Sequence, residues 1–295
     1  MFKPLGWATA AGAGLAAYAL YEPYRYRLVI HELPVHWGGP ALDVLHLGDL
    51  HLSPRDRKLM GFLRNLPDRL PRTPDLVLAT GDLIEGDQAI DPLLETLSSV
   101  EARHGRFYVL GSHDYYVSSG PSYTKYFSDD KVMRRALPTD TDRLERGLED
   151  KGWISLTNRD RAVEIEGRRV RVAGVDDPYL QRHDTAHIRR DPGDDLAIGL
   201  AHAPDVVSEW ALNGFDLAVA GHTHAGQVRI PFAGALVTNC SLPAGLASGP
   251  NLVGGTWLHV TPGLGTGRYS PIRFLARPEA TLLRLIPARV TARTP

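Results

Sequence analysis

Five short clusters in this chain combine carboxylates, imidazoles and glycines: Asp49-x-His51, Gly81-Asp82, Gly111-Ser112-His113-Asp114, Ala201-His202 and Gly221-His222-Thr223-His224. Imidazole with carboxylate and no thiolate suits divalent ions such as Mn, Fe, Zn or Ni. Two such ions roughly 3.5–4 Å apart need one carboxylate able to bridge them. Asp82 is read as that bridge. Asp49, His51 and His224 then complete the shell of one metal, and His202, His222 and an oxygen from the Ser112 region complete the other. A hydroxide held between two divalent metal ions attacks phosphorus in line, while the ions stabilise charge on the phosphoryl oxygens. His113 is expected either to protonate the departing oxygen or to hydrogen-bond a nonbridging one. Asp114 is expected to orient His113 or a nearby ligand.

Those residues need elements that bring them together. From residue 41 the chain alternates short apolar runs with amphipathic stretches, the signature of an α/β protein with packed sheets. Strands are expected at 42–47, 76–79, 107–110, 196–200 and 217–220, with helices at about 56–66 and 91–103. Every cluster follows the carboxyl end of a strand, where loops leaving one sheet edge converge on a ligand. Glycines at 48, 81, 111 and 221 fit sharp exits in which backbone approaches an ion.

Taken in order, the clusters resemble the signature of the calcineurin-like metallophosphoesterase superfamily: Asp-x-His, Gly-Asp, Gly-Asn-His-Asp, a lone His, and Gly-His-x-His. Glu22-Pro23, Gly174-Val175-Asp176-Asp177-Pro178, Gly263-Leu264-Gly265-Thr266-Gly267 and Pro271-Ile272-Arg273-Phe274 are similar to a bacterial branch of it with an N-terminal membrane segment. The resemblance implies a four-layer α/β/β/α sandwich of two mixed sheets flanked by helices. It also implies hydrolysis of phosphomonoesters or phosphodiesters, and some relatives in that branch act on a nucleoside-diphosphate-linked lipid precursor. Ser112 departs from the pattern, standing where the family carries asparagine. A serine hydroxyl is a shorter and poorer neutral ligand than an amide oxygen. Ser112 can hold a water on the second ion, His113 can swing in as ligand, or the second site is weak. The two functional readings are a phosphoesterase acting on a phosphorylated small molecule, lipid or nucleotide-linked precursor, and a metal-binding scaffold that lost turnover through Ser112.

Composition sets wider bounds. A chain of 295 residues with 43% hydrophobic content can bury one large core. A net charge of -1 leaves no basic footprint for nucleic acid. The single cysteine, Cys240, excludes an intramolecular disulfide and a multi-cysteine zinc cluster. Residues 1–35 are read as an N-terminal segment and linker, and 36–295 as the catalytic domain. Leu5 to Tyr21 carries no charge and is followed by Arg25 and Arg27 among tyrosines, so it is read as a single membrane anchor of undetermined orientation. A cleaved secretory signal and a surface helix are its alternatives.

His31, His36, His46, His104, His183, His187 and His259 lack ligand contexts and are read as core or surface histidines. Strand alternation predicts that His46 points away from the site. The glycine-rich 263–267 stretch lacks the lysine of a phosphate-binding loop and is read as a tight link. Residues 115–140, rich in tyrosine with Lys125, Arg134 and Arg135, are read either as a substrate-facing flap or as a surface insertion packed on the sheet.

Overall fold

The computed structural model describes residues 3–117, 137–186, 188–235 and 237–288. In chain order the elements are α1 (Lys3–Tyr21), β1 (Arg27–Val35), β2 (Leu42–Leu47), α2 (Arg57–Arg64), β3 (Leu76–Ala79), α3 (Ile90–Leu97), β4 (Gly105–Tyr108), α4 (Ser112–Tyr115), β5 (Tyr116–Val117), β6 (Leu137–Pro138) and α5 (Thr141–Asp150). There follow β7 (Trp153–Ser155), β8 (Arg159–Ile165), β9 (Arg168–Gly174), β10 (Leu196–Leu200), α6 (Val207–Leu212), β11 (Leu217–Ala220), β12 (Arg229–Ile230), β13 (Gly234–Ala235), β14 (Gly249–Val253), β15 (Thr256–Val260) and β16 (Glu279–Pro287).

Two six-stranded sheets carry the fold, in the orders β1-β16-β2-β3-β4-β7 and β14-β15-β11-β10-β9-β8. Each is mixed. In the first, β2, β3, β4 and β7 run parallel and β16 lies antiparallel to β2; in the second, β9, β10, β11 and β15 run parallel between antiparallel β8 and β14. Strands β2, β3, β10 and β11 are buried along their whole length, as expected of strands covered on both faces.

Alternation along each strand assigns the cores. Leu45 and Leu47 of β2 point outward and pack with Leu59, Phe62 and Leu63 of α2, Leu93 of α3 and Leu144 of α5. Leu42 and Val44 of the same strand point inward, against Ile198, Leu217 and Val219 of the second sheet. Beyond that sheet, Trp210 of α6 packs with Ala197, Ala218 and Leu258. Helix, sheet, sheet and helix therefore enclose three apolar layers, which is the four-layer sandwich expected. Each fully buried Leu or Val contributes about 1.5–3 kcal/mol.

Residues 27–35, read as linker, form β1 and pair in parallel with β16, so the first and last strands of the chain lie side by side. Residues 118–136, which hold most of the expected flap, and His187 lie outside the described residues.

The membrane-anchor reading is overturned. Among the described residues no helix is long and apolar enough to cross a membrane. The sequence of α1 explains why: alanines and glycines dominate it, and its large aliphatic residues are only Leu5, Leu15 and Leu20. An uncharged run is not an apolar one, because alanine and glycine bring little transfer free energy. The C-terminal turn of α1 instead meets the domain. Tyr18 packs edge-on to Phe274 at 5.6 Å, the Arg273 backbone N–H donates to Ala19 O at 3.0 Å, and the Leu275 N–H donates to Glu22 Oε2 at 2.7 Å. The Glu22-Pro23 and Pro271 to Phe274 motifs, about 250 residues apart in sequence, thus meet in space.

Arg273 holds this corner. It is fully buried, and its Nη1 and Nη2 donate to the carbonyls of Pro262, Ala276, Gly263 and Gly265. The loop it gathers closes over the end of β2: the Leu264 and Gly265 N–H groups donate to Asp49 O. The glycine-rich stretch is therefore the link between β15 and β16, packed against the site. Replacing Arg273 with Met leaves four carbonyls without this donor and is expected to cost about 3–5 kcal/mol. Arg273→Lys should recover only part, because an ammonium lacks the planar fork. Urea unfolding of the three proteins tests this; a loss below about 1 kcal/mol for Arg273→Met would contradict the assigned role.

Candidate metal centre

All five clusters reach one edge of the sandwich. Asp49 and His51 leave β2, Asp82 leaves β3, the 111–114 loop leaves β4, His202 leaves β10, and His222 and His224 leave β11. Cross-links between loops fix them: the Asp49 N–H donates to Gly81 O, His51 N–H to Asp82 O, and Gly221 N–H to His202 O. Gly111 and Gly221 are required by close approach. A Cβ on Gly111 would lie 2.4 Å from Asp82 Oδ1, and one on Gly221 2.5 Å from Asp49 Oδ2.

Five of the residues expected to bind metal, Asp49, His51, Asp82, His222 and His224, adopt positive φ between 41° and 68°. Non-glycine residues enter this region at a cost of order 1–3 kcal/mol each, and they cluster where function demands it.

Asp82 is central. Its Oδ2 lies 3.4 Å from His51 Nε2 and 3.5 Å from His202 Nε2, and its Oδ1 accepts the His113 N–H at 2.8 Å. The donors of Asp49, His51 and His224 all lie within 4.8 Å of one another, as do those of Asp49, Asp82 and His202. Asp49 accepts the His222 N–H on both oxygens.

Proton positions test whether cations fit here. His202 Nδ1 faces Thr80 O at 2.8 Å, and His222 Nε2 faces Asn239 O at 3.2 Å. Carbonyls only accept, so both of those nitrogens carry protons. The remaining nitrogens, His202 Nε2 and His222 Nδ1, then point lone pairs at each other across 3.1 Å. That contact is repulsive unless a cation or a proton lies between, and the donor set suits a divalent ion. In the metal-free protein a second proton on His202 fills that place. Burial opposes charge on His202, but Asp82 and then Asp177 override it and hold the ring up to about 9. Burial and the neighbouring His202 push His222 down to about 4. Burial would raise Asp82, yet His202, His113 and His51 hold its carboxyl well below the usual range.

Ser112 is buried beside these groups at the start of α4. Asp114 does not meet the His113 ring. Its carboxylate accepts the N–H groups of Leu83, Ile84 and Gly111. It therefore ties the Asp82 loop to the 111–114 loop, the second of the two expected alternatives in that it positions the candidate ligand Asp82 through backbone. Burial and then Asp82 push its carboxyl up to about 7.

Sequence reasoning missed Glu85. Its Oε1 lies 2.6 Å from His51 Nδ1 and 3.1 Å from His113 Nδ1, and its Oε2 has no hydrogen-bond partner. Nothing in the Gly-Asp motif marks a carboxylate three residues on; its placement comes from the pairing of Ile84 with Leu52. Asp177 was also missed. It is fully buried with an unpartnered Oδ2, and burial followed by Asp82 pushes it up to about 6 despite the opposing pull of His202.

A family profile described as calcineurin-like phosphoesterase matches residues 42–226. The chain belongs to that family. This metallophosphoesterase is 29% identical over 300 residues to the uncharacterized metallophosphoesterase YkuE of Bacillus subtilis (strain 168), covering 97% of this chain and 94% of the relative. It is 26% identical over 289 residues to the phosphodiesterase YaeI of Escherichia coli (strain K12), covering 95% and 94%. Among solved structures, the NAD nucleotidase of Haemophilus influenzae aligns over 79% of this chain and 46% of its own, with 15% identity and a TM-score of 0.46. The metallophosphoesterase is thus a hydrolase of phosphoester bonds.

Glu85→Gln keeps the size of the side chain but removes the anion that orients His51. Metal affinity or turnover is expected to fall about 10–100-fold, with little change in thermal midpoint. Titration of the apoprotein with Mn²⁺, read alongside differential scanning fluorimetry, tests this; unchanged affinity and turnover would remove Glu85 from the site.

Proposed function

We propose that this metallophosphoesterase cleaves a phosphomonoester, phosphodiester or pyrophosphate bond at a two-ion centre held by Asp49, His51, Asp82, His202, His222 and His224. The observation that carries the proposal is Asp82, whose Oδ2 lies 3.4 Å from His51 Nε2 and 3.5 Å from His202 Nε2 and so is shared by the two ligand sets. Divalent ions bound there supply Lewis acidity and an activated water. The residues of the chain do the rest. His113 has 20% of its side chain open, whereas His51 and His202 are closed off. Its Nδ1 faces Glu85, so Nε2 is the nitrogen available to a departing oxygen. Burial works against the imidazolium, but Asp82 and then Glu85 raise it to about 9 in the metal-free protein; with ions on Asp82, Glu85 is the carboxylate left beside Nδ1 to favour a proton on the ring.

A cavity of about 580 Å³ opens beside His51 and Glu85, lined by Tyr24, Tyr26, Arg55, Leu59 and Arg268. Aromatic and apolar walls with two guanidinium groups suit a substrate joining a phosphate to a base or an acyl chain. This supports a nucleotide-linked or lipid-linked substrate over inorganic or sugar phosphates.

The scaffold reading predicts bound metal without turnover. A chromogenic phosphodiester assayed with Mn²⁺ separates the two. The expected result is turnover that falls about 10²–10⁴-fold in His113→Ala while metal content is kept; bound metal with no hydrolysis in the unsubstituted protein would establish the scaffold instead. Ser112→Asn restores the longer oxygen ligand and is expected to tighten the weaker ion about tenfold, roughly 1.4 kcal/mol. Elemental analysis across a chelator series reads this, and an unchanged stoichiometry would show that Ser112 is not the reason for a weak ion.

A further inference from the structure

A second group of donors lies between the sheets behind the candidate centre. His46 on β2 reaches His259 on β15, Nδ1 to Nδ1 at 2.8 Å, and its Nε2 meets Thr80 Oγ1 at 3.0 Å. Both rings are fully buried. Two proton arrangements satisfy these contacts, and the one that also serves Leu47 O leaves a lone pair at the far end. The Thr80 hydroxyl lies 3.5 Å from Leu47 O and 3.0 Å from His46 Nε2; turned to Leu47 O, it leaves its oxygen to accept from His46 Nε2–H. His46 Nδ1 therefore presents a lone pair, and His259 Nδ1–H fills it. In that arrangement His259 Nε2 is unprotonated, and it is buried with no hydrogen-bond partner.

Beside it stand His31 on β1 and Glu279 on β16. A ring nitrogen of each of His31 and His259 and a carboxylate oxygen of Glu279 lie within 4.8 Å of one another. Arg27 engages Glu279 Oε2, and the Thr281 hydroxyl donates to Oε1. A carboxylate offers about four lone-pair positions, so Glu279 retains acceptor capacity.

We infer that His31, His259 and Glu279 form a separate site for one transition-metal ion of the zinc class, distinct from the Asp82 cluster. Two imidazoles and a carboxylate are a donor set that such ions take, with ligand bonds of about 2.0–2.2 Å, so the three side chains need close by only about 1 Å. The lone pair of His259 is supplied and aimed by His46. This is the arrangement in which the far nitrogen of a metal-bound histidine donates to a fixed acceptor. Arg27 opposes a second positive charge, but its side chain is 44% exposed and can turn to solvent, whereas Glu279 is held inside. β1 is an edge strand and His31 is only half-buried, which provides the entry path. Thr80 joins the two regions: its hydroxyl meets His46 and its carbonyl holds His202.

The test uses the full chain carrying His51→Ala and His202→Ala, which takes a ligand from both ion positions of the main cluster. After equilibration with Co²⁺ or Zn²⁺ and removal of free ion, elemental analysis is expected to find about one equivalent retained, with a visible Co²⁺ spectrum of low coordination number. Adding His31→Ala or Glu279→Gln should abolish both signals. His31 is partly exposed at a sheet edge, and circular dichroism confirms that its variant is folded. No retained equivalent in the disabled background, or one that survives both further substitutions, overturns the inference.

Discussion

Two carboxylates, Asp49 and Asp82, are held almost out of contact with water at the meeting point of both sheets. Burying ionised carboxylates is costly unless positive charge lies beside them. The groups around the pair answer most of that constraint, although burial and Asp82 still leave the Asp49 carboxyl above its usual range. Histidines approach from β2, β10 and β11, backbone N–H groups of His113 and His222 donate to the carboxylates, and His113 and His202 hold protons to balance them. Metal ions would supply the same positive charge more compactly. The chemistry of the family then follows from the electrostatics that allow the site to be buried.

The same constraint explains the backbone. Strand ends from two different sheets must turn sharply to aim five side chains into one small volume, and those residues take left-handed φ as a result. Such strain persists only where the surroundings over-determine it. Here the surroundings are the fully buried strands β2, β3, β10 and β11, the Asp114 carboxylate that ties two loops together, and the Arg273 corner that closes over Asp49. Asp114 and Arg273 shape the site without being placed to touch substrate.

The parts legible in the sequence were those set by local pattern. β3, β10 and β11 fall at the expected residues because a strand covered on both faces is a continuous apolar run, and the clusters after them are read by spacing. What was hidden depends on distant pairings. Glu85 enters the site through a bridge between Leu52 and Ile84, Arg273 through carbonyls of its own loop, and His46 with His259 through packing of one sheet on the other. The N-terminal helix was misread for a different reason. Absence of charge was taken for hydrophobicity in a run that is mostly alanine and glycine.

The central claim is that Asp82 lies between two divalent ions. Crystals grown with Mn²⁺ and measured at a wavelength where manganese scatters anomalously test it most directly. The account predicts two anomalous peaks about 3.5–4 Å apart with the Asp82 carboxylate between them. One flanks His51 and the other flanks His202. A single peak, or a pair that Asp82 does not touch, would contradict it.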